Sequence, residues 1–458
     1  MSVTQLPPRS GHSPQPLEIA VVGSGISGLS AAWLLSQRHR VTLFEAEPRL
    51  GGHSHTVTVP YKGGLLPVDT GFIVYNTASY PNLTALFAHL DVPTRATDMS
   101  FAVSLDGGAL EYSGTNLAGL FAQKSNLARP RFWSMLSDLY RFYKNAPGDI
   151  AQLDLTTLGE YLDANNYGSA FRQDHLFPMA AAIWSTPANR VQDYPAAAFI
   201  RFCENHGLLK LTGRPVWRTV EGGSRVYVDR LRDAISDRVR SSEPVRTVKR
   251  DARGVTVETV RGASERFDHV VLATHADQAL RLLAEPTRQE REILGAFRYS
   301  RNETILHGDD RLMPQRRGVW ASWNYLAERG RERADPSVTY WMNLLQGQPR
   351  DVPLFVSLNP AITPREARVY WRGTYEHPLF DQAAIRAQDD LWSLQGEQKT
   401  WFCGAYFGSG FHEDGLQAGL AVAEELGGVR RPWEVADESA RIRIARKQPA
   451  GMRIGMAS

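Results

Sequence analysis

The residues best suited to chemistry lie near the two ends of the chain. Gly23, Gly25 and Gly28 form a GxGxxG loop, with Ser24, Ile26 and Ser27 between them, directly after the apolar run LEIAVV. In such a loop the first glycine permits a tight turn, the second leaves space for a diphosphate against the backbone, and the third allows close packing of the following helix. The helix N-terminus adds free N–H groups and the positive end of its dipole. Glu45 follows 22 residues after Gly23, at the end of the next apolar run. A carboxylate there accepts hydrogen bonds from ribose hydroxyls. The set reads as a dinucleotide site, and by itself it does not separate FAD from NAD.

A second group sits in FCGAYFGSGFHEDGLQAGLAVAEEL. His412 and Glu413 are the first candidates for a group that accepts a proton, and Tyr406 is a weaker one. His53, His55 and His377 are isolated in the sequence and read as structural before catalytic. Cys203 and Cys403, the only two cysteines, give neither a disulfide framework nor a metal pair. No metal site is expected.

These groups need elements to hold them. Residues 17–22 read as a buried strand, ISGLSAAWLLSQ as a packed helix and 41–45 as the next strand, which together make a βαβ unit. From roughly 96 to 215 the texture turns to aromatic-rich helices, with 130–146 the clearest. Strand patterns return in PVRTVKR, in GVTVETV after a turn at Asp251–Gly254, and in HVVLAT. TWFCGAYF reads as a last strand, carrying Tyr406 toward a pocket, before a final helix. Trp320, Trp323, Trp341 and Trp371 either line an apolar tunnel or belong to an ordinary core.

The motifs resemble the flavin amine oxidoreductase superfamily. EAEPRLGGHSHT matches its E-A-x-x-R-x-G-G signature through Glu45, Ala46, Arg49, Gly51 and Gly52, and His53 stands where many relatives carry arginine. DTGFIVYN, with Thr70, Gly71, Phe72 and Ile73, matches the stretch that passes beside the isoalloxazine. Val245 matches a position whose backbone contacts adenine, and Ala273 belongs to the matching VVLATHADQ block. Gly404, Glu413, Asp414, Gly415 and Leu416 match the family's final motif, a helix aimed at the flavin. The resemblance implies non-covalently bound FAD, since Cys403 matches no known flavin-linking motif.

It also implies an α/β fold: a glutathione-reductase-like Rossmann FAD domain (17–95 with 216–285 and 398–428) carrying an inserted, discontinuous α+β substrate domain (96–215 with 286–397). No lysine stands clearly at the flavin-facing position used by many amine oxidases. The blocks GGHSHTV, LFPMAAAIWSTP, YWMNLLQG and YEHPLFD resemble a narrower bacterial group associated with enzymes that modify phospholipid acyl chains. That resemblance implies dehydrogenation of a methylated or otherwise modified fatty-acyl chain. An oxidase of a small polar amine, or a flavin-holding partner or isomerase without net oxidation, remains open.

Bulk properties bound these readings. The chain has 458 residues, enough for two or three domains, with 43% hydrophobic and 22% charged residues and a net charge of +3. The small charge argues against a nucleic-acid partner, and no run is long enough for a membrane span. Residues 1–16 read as a flexible leader without a secretory signal, which places the chain in the cytoplasm, and 429–458 as a basic tail, either a solvated end or a weak contact for anionic lipid headgroups. A lipid substrate suggests peripheral contact with the inner membrane surface. The helix at 130–146 is the candidate contact, with Phe132, Trp133, Leu136, Leu139, Phe142 and Tyr143 among Arg129, Arg131, Arg141 and Lys144; the alternative is a core-facing helix with a solvated basic face, which would bury nearly all of these aromatics. Oligomeric state is not legible.

Overall fold

The computed structural model describes residues 15–153, 156–184, 188–210, 212–235, 238–330, 337–436 and 438–444. The strand Glu18–Val22 is buried from Ile19 onward. Such a continuous apolar run fits a parallel strand covered on both faces. Arg40–Phe44 and His269–Leu272 flank it, Val239–Arg240 and Thr400–Phe402 complete the sheet, and all five strands run parallel. Three antiparallel strands, Val245–Asp251, Gly254–Thr259 and Ser264–Phe267, form a meander between its third and fourth chain segments.

The helix Ile26–Ser36 is buried on every side from Ile26 to Leu35. One side covers the parallel sheet, and another meets the C-terminal helix His412–Gly427. Both contacts demand glycine. A Cβ on Gly28 would stand 1.9 Å from the Gly23 carbonyl oxygen, and one on Gly419 would stand 2.2 Å from that of Ser27.

The remaining layer is a mixed seven-stranded sheet built from Phe101–Leu105, Leu110–Ser113 and five strands between Arg298 and Leu379. The helices Pro130–Asp149, Leu158–Ala164, Phe177–Trp184 and Ala196–Asn205 contribute a separate aromatic core around Phe142, Tyr161, Phe171 and Phe199.

Two sequence expectations change, and a choice left open at 130–146 is decided. The strand expected over 400–407 stops at Phe402, because its ladder partner ends at Leu272, and Tyr406 sits instead on the 3-10 turn Ala405–Phe407. The helix expected at 130–146 is core-facing: Phe132, Met135 and Phe142 are buried, Leu136, Leu139 and Tyr143 are half-buried, and only Trp133 and Tyr140 of its aromatics are exposed. Two of its cations are paired, Arg131 with Asp174 at 2.7 Å and Arg141 with Asp138 at 2.9 Å, which breaks up the basic strip.

The tail from 429 to 444 is docked rather than solvated. Arg431 is buried on Glu424 at 2.7 Å, Arg441 on Asp414 at 2.5 Å, and Trp433 stacks on Trp33. Arg446, Lys447, Arg453 and nearly all of the expected leader lie outside the described residues. No helix among the described residues is long and apolar enough to cross a membrane.

The helix contact gives a direct test. Gly419→Ala places a methyl against the Ser27 backbone and is expected to cost about 1–3 kcal/mol, the range for overpacking. Gly148→Ala, whose Cβ would meet nothing within 4 Å, should be neutral or slightly stabilising. Thermal melts of the two variants, compared with the parent, check the difference.

Candidate functional site

A cavity of about 790 Å³ runs from the glycine loop, past the carboxyl ends of the parallel strands, into the seven-stranded sheet and its helices. Its first wall is the GxGxxG loop. The helix beginning at Ile26 has no side-chain cap and no acid in its first turn, so its opening amides are available to an anion. A Cβ on Gly25 would meet nothing within 4 Å, and Gly25 lines the cavity, so a side chain there would enter the space a diphosphate needs. Gly52, on the second turn, lies so close that its Cβ would stand 3.1 Å from the Gly25 Cα, at a φ of +56° that favours glycine.

Ser24 fastens the two turns together. Its N–H and hydroxyl donate to Glu45 at 2.9 and 2.5 Å, while its carbonyl accepts from Gly51 N–H at 3.0 Å. Glu45, Ala46, Ser27, Gly51 and His53 share this wall, and Val245, Ala273 and Gly404 line it from the meander and the neighbouring strand ends. Thr70, Gly71, Phe72 and Ile73 continue it inward.

Other expected contacts lie elsewhere. Arg49 is not on this wall: its guanidinium donates to the Gly52 carbonyl at 2.7 Å and faces a different surface cavity, bracing the turn from behind. Gly28, Gly415 and Leu416 serve helix packing. Asp414 receives the N–H groups of Ser409 and Phe411 at 3.0 and 2.8 Å and pairs with Arg441, so it caps its own helix.

Glu413 is a correction among the proton-transfer candidates. Its buried carboxylate accepts from Asn82 N–H at 3.0 Å, Asn82 Nδ2 and Leu83 N–H at 2.9 Å, and Gln417 at 3.0 Å. It holds the N-terminus of the helix Pro81–His89, where an anion complements free amides and the dipole. It does not face the cavity.

His412 does face it, stacked on Phe72 at 3.8 Å, but its Nε2 is held by the Tyr227 hydroxyl at 2.6 Å and Ser54 Oγ at 3.3 Å. Burial lowers its pKa to about 3. Tyr406 lines the wall with its hydroxyl unpartnered, and burial pushes that hydroxyl well above its usual range. Cys403 is buried, off the wall, and its thiol is pushed up to about 12 by burial, which suits non-covalent cofactor binding.

Sequence reading missed the cluster opposite the second glycine turn. His53, His275, His377, Tyr299 and Tyr375 all line the cavity. His53 lies 4.9 Å from Tyr375 and 5.4 Å from His377, ring centre to ring centre, and His275 stacks on Tyr299 at 4.3 Å. Burial, then neighbouring His377 and His275, hold His53 well below the usual range, and burial lowers His377 to about 4. The sequence signals were His53 in GGHSHT and the blocks YEHP and THAD, each isolated from the others. His55 is set apart, with Nδ1 against Tyr375 and Thr70 at 3.2 Å and its ring on Trp371. Of the four tryptophans considered, Trp323 lines the cavity and the other three do not. Neither lysine nor cysteine appears on this wall among the described residues.

The far end of the cavity is lined by Met99, Phe101, Met179, Ile183, Phe202 and Phe411. His206, stacked on Phe202 at 4.0 Å, and the hydrogen-bonded Tyr112, His175 and Tyr143 stand among them. Arg214 stands there as an exposed cation with no ion pair among the described residues, donating Nε–H to the Lys210 carbonyl at 2.6 Å.

Gly25→Val is expected to abolish flavin binding while leaving the fold intact, because the new side chain occupies cavity space and touches no packed neighbour. Absorbance near the flavin maximum per mole of protein, measured beside the thermal melt, checks this; full flavin content in the variant would contradict it.

Acid lability follows from the histidines. His206 and His412 are lowered to about 3, and His55, His175, His307 and His377 to about 4, in every case first by burial. Unfolded, such groups titrate near 6.5, so from about pH 6.5 down to about pH 4 the unfolded chain binds more protons. Stability should therefore fall as pH falls through that window. Asp69, raised to about 6 by burial, and Glu413, also raised by burial, oppose this with two protons against several. A urea midpoint no lower at pH 5 than at pH 7 would overturn the expectation.

Residues 26–305 match the family model for flavin-containing amine oxidoreductases. The Mycobacterium tuberculosis protein named as a flavin-containing monoamine oxidase, AofH, is 29% identical over 265 residues, 56% of each chain. The carotenoid 3,4-desaturase of Haloarcula japonica is 25% identical over 309 residues, 59% of each. The chain thus spans little more than half the length of these curated relatives. A putrescine oxidase structure shares the fold, with a TM-score of 0.65 at 16% identity over 90% of this chain and 99% of that one. The glycine cradle, the Ser24–Glu45 lock and the matched region together place the chain in the flavin-containing amine oxidoreductase family.

Proposed function

We propose that this protein is an FAD-dependent oxidoreductase that removes hydride from a long apolar chain, a methylated or otherwise modified fatty-acyl group, at the inner end of the cavity. The observation that carries the reading is a wall rich in aliphatic and aromatic side chains that reaches Arg214, a cation without an ion pair among the described residues, an arrangement suited to an amphiphile with an anionic head. Flavin, when bound, supplies the electron chemistry. Gly23 to Ser27, Glu45, Gly51, Gly52 and Gly404 would hold it, and the aromatic and aliphatic wall would position the chain and exclude water.

The same cavity reaches Gly114, three residues before Leu117. Leu117, Leu127 and Trp133 are exposed at 75, 55 and 49% and lie near Lys124 and Arg129. This edge replaces the long helix face as the proposed lipid entry. Amine oxidation, the second reading, draws support from AofH and the putrescine oxidase fold, and the lysine-free wall weighs against it.

Anaerobic titration distinguishes the readings. Branched or methylated acyl phospholipids should bleach the flavin, while simple amines should not. Arg214→Ala should raise KM about tenfold with kcat retained, as for one lost charge-assisted hydrogen bond. A Leu127→Ser, Trp133→Ser variant should lose the response to vesicle-borne lipid and keep the response to detergent-dispersed lipid. Bleaching by amines alone would move the assignment to amine oxidation; no bleaching by either class would favour a protein without net substrate oxidation.

A further inference from the structure

A chain of amides ends at His377, and its direction is fixed. The backbone N–H of Glu303 can only donate, and it donates to Asn359 Oδ1 at 2.9 Å. The Asn359 amide is thereby oriented with Nδ2 toward Asn302 Oδ1, at 2.8 Å. That contact orients Asn302 in turn, and its Nδ2 meets His377 Nδ1 at 2.9 Å. An amide nitrogen is a donor only, so His377 Nδ1 must be the acceptor and carry no proton. The single ring proton of the neutral imidazole then resides on Nε2. Asn302 is buried, Asn359 adopts a φ of +46° in the left-handed region, and His377 lies on the cavity wall with no protein partner for Nε2 among the described residues. An imidazolium here would put Nδ1–H against the Asn302 amide hydrogens, so the relay also disfavours the charged form.

His377 stands between two parts of the cofactor cradle. Its ring centre is 5.4 Å from that of His53, on the second glycine turn. The next residues, Pro378 and Phe380, pack where a Cβ of Gly410 would be, two residues before the C-terminal helix begins. We propose that Asn359 and Asn302 fix His377 as a neutral Nε2–H donor aimed into the cavity, and that this N–H is a hydrogen-bond donor toward the bound flavin, directly or through one water. A neutral donor stabilises negative charge that develops on reduction and adds no standing charge to a water-poor site. The inference rests on flavin binding at this cavity and is independent of which substrate is oxidised.

Two measurements test it on the FAD-loaded protein. In long-range ¹⁵N–¹H spectra of histidine-labelled protein, with His377 assigned by its loss in His377→Gln, the ring should show the Nε2–H tautomer at neutral pH. Asn302→Asp keeps an acceptor for Asn359 and removes the donor to His377, so the ring should gain a proton on Nδ1. A wild-type ring already protonated on Nδ1 would overturn the relay.

The second measurement is the flavin reduction potential, read with flavin content and melting temperature so that lost binding or lost folding is seen separately. His377→Phe should shift the two-electron equilibrium about tenfold toward oxidised flavin, about 30 mV more negative. His377→Gln, whose amide can still donate, should recover most of that shift. Equal potentials in wild type and His377→Phe, with flavin content unchanged, would remove His377 from the cofactor.

Discussion

The structure depends on the close approach of two helices from opposite ends of the chain. Ile26–Ser36 can lie against His412–Gly427 only because Gly415 and Gly419 leave no Cβ in the way, the second of these facing the Ser27 carbonyl directly. The approach brings the amino end of the second helix to the rim of the glycine loop, so the cofactor cradle is closed by residues nearly 400 positions apart in sequence. Everything between them has to leave the nucleotide layer and return to it. The parallel sheet accordingly takes strands from 18–44, 239–272 and 400–402, and the seven-stranded sheet takes its strands from the intervals.

The acids of the HEDG segment show how that approach is held. Glu413 and Asp414 look like chemistry in the sequence, yet both are spent on helix ends: one on the amides of Asn82 and Leu83, the other on those of Ser409 and Phe411. A carboxylate accepting several N–H groups contributes about 1.5–3 kcal/mol for each charge-assisted bond, and removing it would leave buried amides unsatisfied. Arg441 completes the clamp from the docked tail, which makes that segment part of the same structural unit.

The nucleotide half was legible because its signals are local. GxGxxG, the strand before it and Glu45 lie within one βαβ unit, and each residue type answers a steric or hydrogen-bonding need that sequence spacing alone expresses. The histidine cluster was not legible for the opposite reason. His53, His275 and His377 come from three distant segments, and each looks unremarkable until the sheet registers bring Tyr299 and Pro378 side by side. At 130–149 the sequence left a docking helix and a core-facing helix both open, because period alone identifies the apolar face but not what covers it. Here Asp174, on another element, takes the arginine that had suggested a basic docking face.

The charge pattern of the cavity bears on what can enter it. Around the second glycine turn the titratable groups are imidazoles that burial holds neutral and tyrosines that burial holds protonated. Glu376 is the acid that shares this part of the wall, 3.5 Å from His275 and facing Arg301 as well. A small ammonium drawn inward would lose its water shell with little free anionic charge to replace it, a cost of several kcal/mol for an unpaired ion. An acyl chain would lose nothing of the kind, because apolar surface gains on leaving water. Its one charged group could remain at the outer end beside Arg214, and only C–H bonds need reach the histidines. The hydride removal from hydrocarbon proposed above would use such a site, with Glu376 the acid beside the histidines and the other polar groups there neutral for the moment when charge develops on the cofactor.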